Sequence, residues 1–174
     1  MSPNSLQIAT LLYCFNADGK VLLMQRKRQP NQGLWSPPGG KLNQKQGESP
    51  HACAAREAGE ELGIAAKPED FMLTGIVSEK AYEGEQHWMM FLFKYKGYLL
   101  NLPPAHEEGH FDFFSFSQIE NLNIPDTDRN FIWPLFRKHS KGFFAVECDC
   151  QLGNDFNWKM LQSNPATSNL DQYD

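Results

Sequence analysis

The sequence predicts a single α/β (α+β) domain in which helices cover a mixed central sheet. Strand-like and helix-like segments alternate along the chain. At 174 residues, of which 41% are hydrophobic, the chain is large enough for one core but too short for two ordinary domains. We predict that the domain spans residues 7–162, with a mobile N-terminus at 1–6. Residues 163–174 are rich in Ser, Asn and Asp and are predicted to form a mobile C-terminal tail.

Each element follows from a local signal. Short apolar and β-rich runs predict the strands, and the first two flank a turn at residues 16–19, so they form a hairpin. Ser49 and Pro50 can begin the first helix, which Gly63 can end, and Ser117 is a candidate cap for a second. In chain order, the predicted elements are strands at 8–15 and 21–25, a helix at 50–62, strands at 71–78, 87–98 and 111–116, a short helix from 118, a helix at 127–139 and a strand at 143–148.

Charge and hydropathy exclude several classes of protein. A net charge of −5 argues against a nucleic-acid groove, because surfaces that neutralise phosphates are usually basic. No apolar run approaches the roughly 20 residues that cross a membrane, and residues 1–9 lack the pattern of a signal peptide. We therefore expect a cytoplasmic monomer or homodimer that binds a small molecule, with neither a membrane nor a nucleic acid as partner.

The segment at residues 39–64, GGKLNQKQGESPHACAAREAGEELGI, carries the strongest functional signal. At helical spacing, Glu57 faces both Glu60 and Glu61, and like charges so placed repel one another. Such a face is either solvated or used to hold a divalent cation, whose charge removes the repulsion. Because these side chains are carboxylates, the pattern favours Mg²⁺ or Mn²⁺ over Zn²⁺.

The same segment resembles the Nudix box, the signature of hydrolases that cut a nucleoside diphosphate linked to another moiety. From Glu48 onward, every required residue falls in register. Upstream, Leu42 stands where the family has glycine and Gly40 lies two residues earlier, so residues 43–46 resemble a loop lengthened by two. The residues in register are Glu48, Arg56, Glu57, Ala58, Glu60, Glu61, Gly63 and Ile64.

This resemblance implies the α/β/α Nudix sandwich and a pyrophosphohydrolase that uses Mg²⁺, for which Mn²⁺ can substitute. Glu60 is the first choice for the base that acts on the attacking water, and Glu57 is the second. Arg56 is expected to hold Glu48 or the loop through charge-assisted hydrogen bonds. The implied catalytic residues are therefore Glu60, Glu57, Arg56 and Glu48, and the implied metal ligands are Glu57, Glu60, Glu61, the Gly40 carbonyl and Glu108.

Segments outside the box resemble the MutT-like 8-oxo-dGTP diphosphatases of this family. Arg26 matches a basic residue that this branch directs toward the phosphates, with a solvated turn as the alternative. Glu108 aligns with a further metal-binding glutamate, with a solvated loop residue as the alternative. Asp128 aligns, through the Trp-Pro-Leu stretch that follows, with the residue that reads the base edge, and a helix N-cap is its alternative.

The approach to the box, WSPPGG at residues 35–40, also resembles the family pattern. Gly39 and Gly40 permit close approach of the backbone to a ligand. Trp35 is the best candidate to stack on a base, with a place in the core as the alternative. Ser36 stands where purine-reading members often have Asn, and its hydroxyl cannot make the two contacts that an amide makes.

The resemblance therefore implies hydrolysis of a nucleoside triphosphate to a nucleoside monophosphate and pyrophosphate, with an oxidised purine nucleotide such as 8-oxo-dGTP as the substrate. One alternative is a Nudix hydrolase that acts on a nucleotide sugar, a dinucleoside polyphosphate or the 5′ end of RNA. A second alternative is an inactive nucleotide-binding module. The retained helical glutamates argue against the inactive module, because such modules usually lose them.

Overall fold

One mixed sheet organises the chain. A computed structural model describes residues 6–84, 86–151 and 156–165, and within these residues the chain forms eight strands and three α-helices. The strands are β1 (Leu6–Asn16), β2 (Val21–Arg26), β3 (Trp35–Ser36), β4 (Phe71–Tyr82), β5 (Gln86–Leu99), β6 (Gly109–Phe114), β7 (Phe143–Asp149) and β8 (Asn157–Asn164). The helices are α1 (Pro50–Leu62), α2 (Phe116–Ile119) and α3 (Trp133–Lys138).

The strand order is β3-β2-β1-β5-β4-β7-β8, and β6 pairs with β2. The β1–β5 and β4–β7 pairs are parallel, whereas the others are antiparallel. Successive residues of a strand point to opposite faces of the sheet, and here both faces carry apolar side chains against which helices pack. Leu12 packs with Ala54 and Ala58 of α1, while its neighbour Tyr13 packs with Phe136 of α3. These layers confirm the predicted α/β/α architecture.

The first two strands separate beyond their connecting turn. They pair at Phe15 and Val21. Farther along β1, Leu12 and Thr10 donate backbone hydrogen bonds to the carbonyl oxygens of Pro38 and Gly40, each at 2.8 Å. The segment that precedes α1 therefore takes the place of β2 beside β1, and this brings both the glycines and the start of α1 to one region of the sheet.

Local signals set the bounds of α1. The Ser49 hydroxyl accepts a hydrogen bond from the Ala52 N–H at 3.2 Å, and Pro50 occupies the first turn. Gly63 ends the helix in the left-handed conformation, with φ 68°, and its N–H donates to the carbonyl of Gly59 at 3.2 Å. The predicted helix at residues 50–62 is confirmed.

The two later helices differ from the prediction. Ser115 rather than Ser117 caps α2, because the Ser115 hydroxyl accepts from the Gln118 N–H while the Gln118 side chain accepts from the Ser115 N–H, which is a capping box. The helix predicted at 127–139 is divided into a π-helical turn, Asp128–Ile132, and α3. Pro134 lacks the N–H that would bond to the carbonyl four residues earlier, and this favours the wider turn before it.

The C-terminal part of the chain contains a strand that sequence analysis missed. β8 pairs antiparallel with β7, and most of its residues are exposed, so its sequence shows little apolar alternation. This strand extends to Asn164, two residues into the predicted tail, while Leu6 of the predicted N-terminal segment already belongs to β1. The rest of both predicted termini lies outside the described residues, apart from Pro165. None of the described helices has the length and apolar character needed to cross a membrane.

Candidate active site

A cavity of about 460 Å³ opens where the segment before α1 lies along β1. Two groups of acidic side chains line it. The glutamate cluster consists of Glu57 and Glu61 from α1 together with Glu108 from the turn before β6. The buried acid pair consists of Glu79 from β4 and Asp128 from the π-helical turn. The sequence predicts four of these five residues as site residues, and Glu79 is the one it misses.

Arg56 connects the helix to the loop that precedes it. Its Nε and Nη2 atoms donate to the two carboxylate oxygens of Glu48 at 2.8 and 3.0 Å, and Nη2 also donates to the Lys41 carbonyl at 3.1 Å. The Asn43 N–H donates to Glu48 at 2.8 Å. The hydrogen bond from Arg56 lowers the pKa of Glu48 to about 2. Glu48 and Arg56 do not line the cavity, and their hydrogen bonds join the loop to α1.

The loop lengthened by two residues is closed on itself. Gln44–Gln46 forms one 3₁₀ turn with no buried residue, and Gly47 ends it in the left-handed conformation with φ 65°. The Gly47 N–H donates to the Gln44 carbonyl at 3.2 Å, and the Glu48 N–H donates to the Asn43 carbonyl at 3.3 Å. The extra residues therefore project away from the cavity and leave the Glu48–Arg56 pair intact.

Gly39 and Gly40 lie where a side chain could not fit. A Cβ atom on Gly40 would lie 2.2 Å from Oε1 of Glu57, so the Glu57 carboxylate lies directly against the Gly40 backbone. A Cβ atom on Gly39 would lie 2.1 Å from the Thr10 carbonyl oxygen, and Gly39 has φ 145°. The Gly39 N–H donates to Oε2 of Glu61 at 2.9 Å. The glycines thus fix the positions of both buried glutamates of α1.

The glutamate cluster concentrates negative charge where little water reaches it. Burial is the main cause that raises the pKa of Glu61 to about 8, and the charges of Glu57 and Glu108 act in the same direction. Burial also raises the pKa of Glu57, against the opposing effect of Arg56. Among the described residues, no group of three or more His, Cys, Asp or Glu side chains is drawn together tightly enough to hold a metal ion. Glu57 instead bonds to Arg56 at 2.7 Å, and Glu61 bonds to Gly39.

Glu60 differs from its two neighbours in the box. The sequence predicts Glu60 as base and metal ligand, but the structure places it outside the cavity lining. Its side chain is 59% exposed and accepts a hydrogen bond from Arg56 at 3.0 Å. The reason is helical geometry, because Glu60 lies four residues after Arg56 and the two form an i,i+4 pair.

Trp35, like Glu48, Arg56 and Glu60, is a predicted site residue that does not line the cavity. Adjacent residues of a strand point in opposite directions, so when Ser36 faces the cavity Trp35 faces away from it. The Trp35 ring packs at 5.1 Å from His110 and 4.8 Å from Phe114, centroid to centroid. Trp35 is half-buried and packs against the core, which is the alternative to stacking on a base that the sequence left open.

Arg26 lines the cavity at the end of β2. Its Nε atom donates to the Pro30 carbonyl at 2.7 Å, so the loop after β2 holds the guanidinium in place. The positive charge of Arg26 acts on Glu61 and lowers its pKa, in opposition to the effect of burial. Arg26 is thus a fixed cation beside the glutamate cluster, rather than a residue of a solvated turn.

Asp128 lies in the interior rather than at a helix cap. Only 6% of its surface is exposed, and burial raises its pKa to about 8, with a further contribution from the charge of Glu79. Glu79 is 4% exposed, and burial raises its pKa to about 7, partly offset by Thr127. A signal for Glu79 was present in the sequence. Glu79 lies two residues after Val77 in β4, so both side chains point to the same face of the strand. Because the Val77 side chain is in the core, a carboxylate was predictable at an inward position.

Comparison with known proteins agrees with this geometry. A sequence model of the NUDIX domain matches residues 5–137. The chain belongs to the NUDIX family. It is therefore a Nudix pyrophosphohydrolase, and residues 39–64 are its NUDIX box.

Several solved structures resemble this NUDIX chain. The MutT mutator protein of Bacillus halodurans is 28% identical with a TM-score of 0.65, and the match covers 88% of this chain and 97% of that one. The MutT protein of Methanosarcina mazei is also 28% identical with a TM-score of 0.64, and the match covers 77% and 95% of the two chains. The NUDIX domain of NrtR from Shewanella oneidensis, solved with ADP ribose, shares the fold at 17% identity, with a TM-score of 0.59 and coverage of 77% and 86%.

Proposed function

We propose that this NUDIX protein uses a divalent cation, Mg²⁺ or in its place Mn²⁺, to hydrolyse a nucleoside triphosphate to a nucleoside monophosphate and pyrophosphate. The observation that carries the proposal is one cavity lined both by the glutamate cluster, beside the fixed Arg26, and by the buried acid pair. The first group suits a polyphosphate with its cation, and the second suits a base. The similarity to two MutT proteins supports a triphosphate, such as 8-oxo-dGTP, over a nucleotide conjugate.

The donor chemistry of the residues present fits a hard divalent cation, although among the described residues the side chains are not gathered around one position. Glu57, Glu61, Glu108 and the Gly40 carbonyl offer oxygen donors only, and the repulsion among the buried carboxylates is relieved by a positive charge. Bound there, the cation would neutralise the charge that develops on the phosphates and would lower the pKa of the attacking water. Arg26, which lines the same cavity, would contact the polyphosphate.

The positions of the two glutamates favour Glu57 over Glu60 as the general base. Glu57 is buried, lies against Gly40 and lines the cavity, so it is better placed than Glu60 to orient and deprotonate water. Glu60, whose Oε2 accepts from Arg56, lies outside the cavity lining and would have to turn toward the cavity to join as a ligand. Arg56 and Glu48 serve as positioning residues that hold α1 against the loop.

The test compares Glu57→Gln and Glu61→Gln with Glu147→Gln, a substitution at an exposed position of β7. With Mg²⁺ and a triphosphate, we expect turnover to fall about 10²–10⁴-fold in each of the first two variants and to be unchanged in the third. Circular dichroism checks that all three remain folded. Wild-type turnover by both cavity variants would contradict the proposed chemistry.

A substrate panel distinguishes the alternatives. It contains 8-oxo-dGTP, dGTP, dCTP, ADP-ribose, UDP-glucose and diadenosine polyphosphate, with release of pyrophosphate and of phosphate measured separately. Preference for a sugar or dinucleotide conjugate would keep the metal chemistry and reject the triphosphate, and capped or triphosphorylated RNA extends the panel to RNA ends. Binding without turnover of any compound would instead indicate an inactive module. Cytoplasmic location and a monomeric or homodimeric state stay predictions.

A further inference from the structure

The buried acid pair contains an oxygen that lacks a hydrogen-bond partner. Oε1 of Glu79 is buried and makes no hydrogen bond within the described residues. A buried carboxyl group without a partner destabilises a fold, because it loses its hydration and gains nothing in exchange. Glu79 nevertheless lines the cavity, on the same wall as Asp128 and Thr127. Such a group is explained if a ligand supplies the missing donor.

The surroundings of Glu79 suit a flat aromatic ring. Trp88 is its neighbour across the antiparallel β4–β5 pair, and Met90 lies two residues farther along β5. Both side chains line the cavity, as does Leu11 of β1. A planar base placed between these side chains would present its edge, rather than its face, to the carboxyl groups.

The polar atoms at this edge belong to two carboxyl groups and to the Asn31 amide, which retains its N–H donors. Asn31, another cavity residue, uses its Oδ1 to accept a hydrogen bond from the Tyr82 hydroxyl. Glu79 and Asp128 lie close enough for the charge of one to act on the other, which disfavours ionisation of both at once. Each carboxyl group has a carbonyl oxygen that accepts whether or not the group is ionised, so the pair offers adjacent acceptors to a donor-rich edge. Among the common bases, guanine and its 8-oxo form present two adjacent donors, the ring N1–H and the exocyclic amino group.

We propose that Glu79 and Asp128 together bind the N1–H and amino edge of a guanine-type base, and that Glu79 is a specificity-determining residue for the exocyclic amino group. This inference rests on the proposed nucleotide substrate. Glu79 would then stabilise the bound base, while its unpartnered oxygen makes the empty protein less stable.

The experiment compares dGMP with dIMP, which lacks the exocyclic amino group, in wild-type protein and in Glu79→Leu. Isothermal titration calorimetry without divalent cation measures binding, and kcat/KM for dGTP and dITP with Mg²⁺ provides a second readout. We expect the wild type to prefer the guanine compound about tenfold or more, since a site built to bind a donor rejects the analogue that lacks it. In Glu79→Leu the ratio should fall to about one, mainly through KM.

Stability separates this role from a structural one. Glu79→Leu removes a buried carboxyl group that, among the described residues, has one oxygen without a partner and only Thr127 as a side-chain hydrogen-bond partner, so the midpoint of thermal unfolding of the empty protein should rise by a few degrees. Glu147→Leu, on the exposed face of β7, is the matched control and should change neither the base preference nor the ligand affinity. A variant that loses selectivity while gaining stability would support the proposal.

Three results would overturn it. The wild type could bind dGMP and dIMP equally or bind neither, or Glu79→Leu could keep the full preference for dGMP. Failure of the proposed function has a different signature, because a protein that prefers dGMP but hydrolyses no triphosphate would retain the base contact and lose only the catalytic assignment. Equal kcat/KM for dGTP and dITP would retain the catalysis and reject the role of Glu79.

Discussion

The two acidic groups of the cavity differ in how their charges are satisfied. In the glutamate cluster, Glu57 bonds to Arg56 and Glu61 bonds to the Gly39 N–H, and the sequence places all four residues within the box. In the buried acid pair, Glu79 retains an unpartnered oxygen and its neighbour Asp128 comes from a distant segment. Under the proposed function, this difference means that the catalytic region is organised before a substrate binds, whereas the base region depends on the ligand to complete its hydrogen bonds.

The largest expected effect comes from disturbing the organised group through Gly40→Ala. The new methyl group would meet the Glu57 carboxylate at 2.2 Å and displace it. We expect kcat to fall about 10²-fold, since misplacement of a catalytic group by about 1 Å has an effect of this size. The measurement is steady-state hydrolysis of the best triphosphate in the panel.

Gly59→Ala is the matched control for this substitution. Gly59 lies in α1, and a Cβ atom there would meet its nearest neighbour, the Ile64 carbonyl oxygen, at 3.8 Å. This variant should keep its activity and gain about 0.5–1 kcal/mol in the free energy of unfolding. Equal activity of the two variants would show that the position of Glu57 does not matter.

A second prediction concerns pH and the buried acid pair. Burial raises the pKa of Asp128 to about 8, so the folded protein binds a proton there that the unfolded chain, with an ordinary Asp pKa of about 3.9, has released. The contribution of this group to the free energy of unfolding therefore decreases as pH rises from about 4 to 8. Asp128→Asn has no carboxyl group to titrate at this position. Its free energy of unfolding relative to that of wild type should therefore increase with pH, by on the order of 2 kcal/mol between pH 5 and 8.

The measurement is urea unfolding of wild type and Asp128→Asn at several pH values without divalent cation. The other ionisable groups that face the acid pair are Tyr13, Tyr82, Cys148 and Cys150, whose pKa values burial raises, so they stay neutral in this range. Asp126→Asn, in the preceding exposed position, should show no such trend. If the difference in free energy of unfolding between wild type and Asp128→Asn stays constant with pH, the prediction is wrong.

The smallest effect is expected for Arg56→Lys. Lysine keeps the charge but loses the paired contact with Glu48 and the additional contacts with Glu57 and Lys41. Because the Arg56 side chain is 33% exposed, we expect a loss of only about 1 kcal/mol in stability, together with a fall of about tenfold in kcat.

Arg137→Lys serves as the comparison, since Arg137 is exposed and pairs with Glu120 at 3.6 Å. It should change stability by less than about 0.5 kcal/mol and leave kcat unchanged. Parallel behaviour of the two variants in kinetics and urea unfolding would argue against a positioning role for Arg56.

The same contrast explains what could be predicted from the sequence. Ser49 and Gly63 act on residues within a few positions of themselves, so the bounds of α1 followed from local patterns. The choice between Trp35 and Ser36 depends on which face of β3 meets the cavity, and two residues of strand are too short to reveal that alternation. The exposed location of Glu60 depends on its i,i+4 pair with Arg56, and the box pattern alone does not reveal this pair.

The residues that sequence analysis missed depend on contacts between distant segments. Glu79 becomes informative only when the π-helical turn brings Asp128 to the same wall, and β8 is recognisable only through its pairing with β7. The sequence of β8 is that of an exposed strand, whereas Glu79 occupies an inward position of β4, and the local sequence does not show that Asp128 lies beside it. The family resemblance identified the residues of the box. It did not identify Glu79, which joins the cavity only through the tertiary fold.

The closed turn at Gln44–Gln46 has a consequence for how this protein can be altered. The glycine segment is held to β1 by main-chain hydrogen bonds, at Thr10 and Leu12, and the turn is anchored at Asn43 and Glu48. Residues added between these anchors would lengthen an exposed arch and leave the spacing of the catalytic groups unchanged. This arch is therefore a suitable place to attach a fluorophore, an affinity tag or a second domain to a working enzyme.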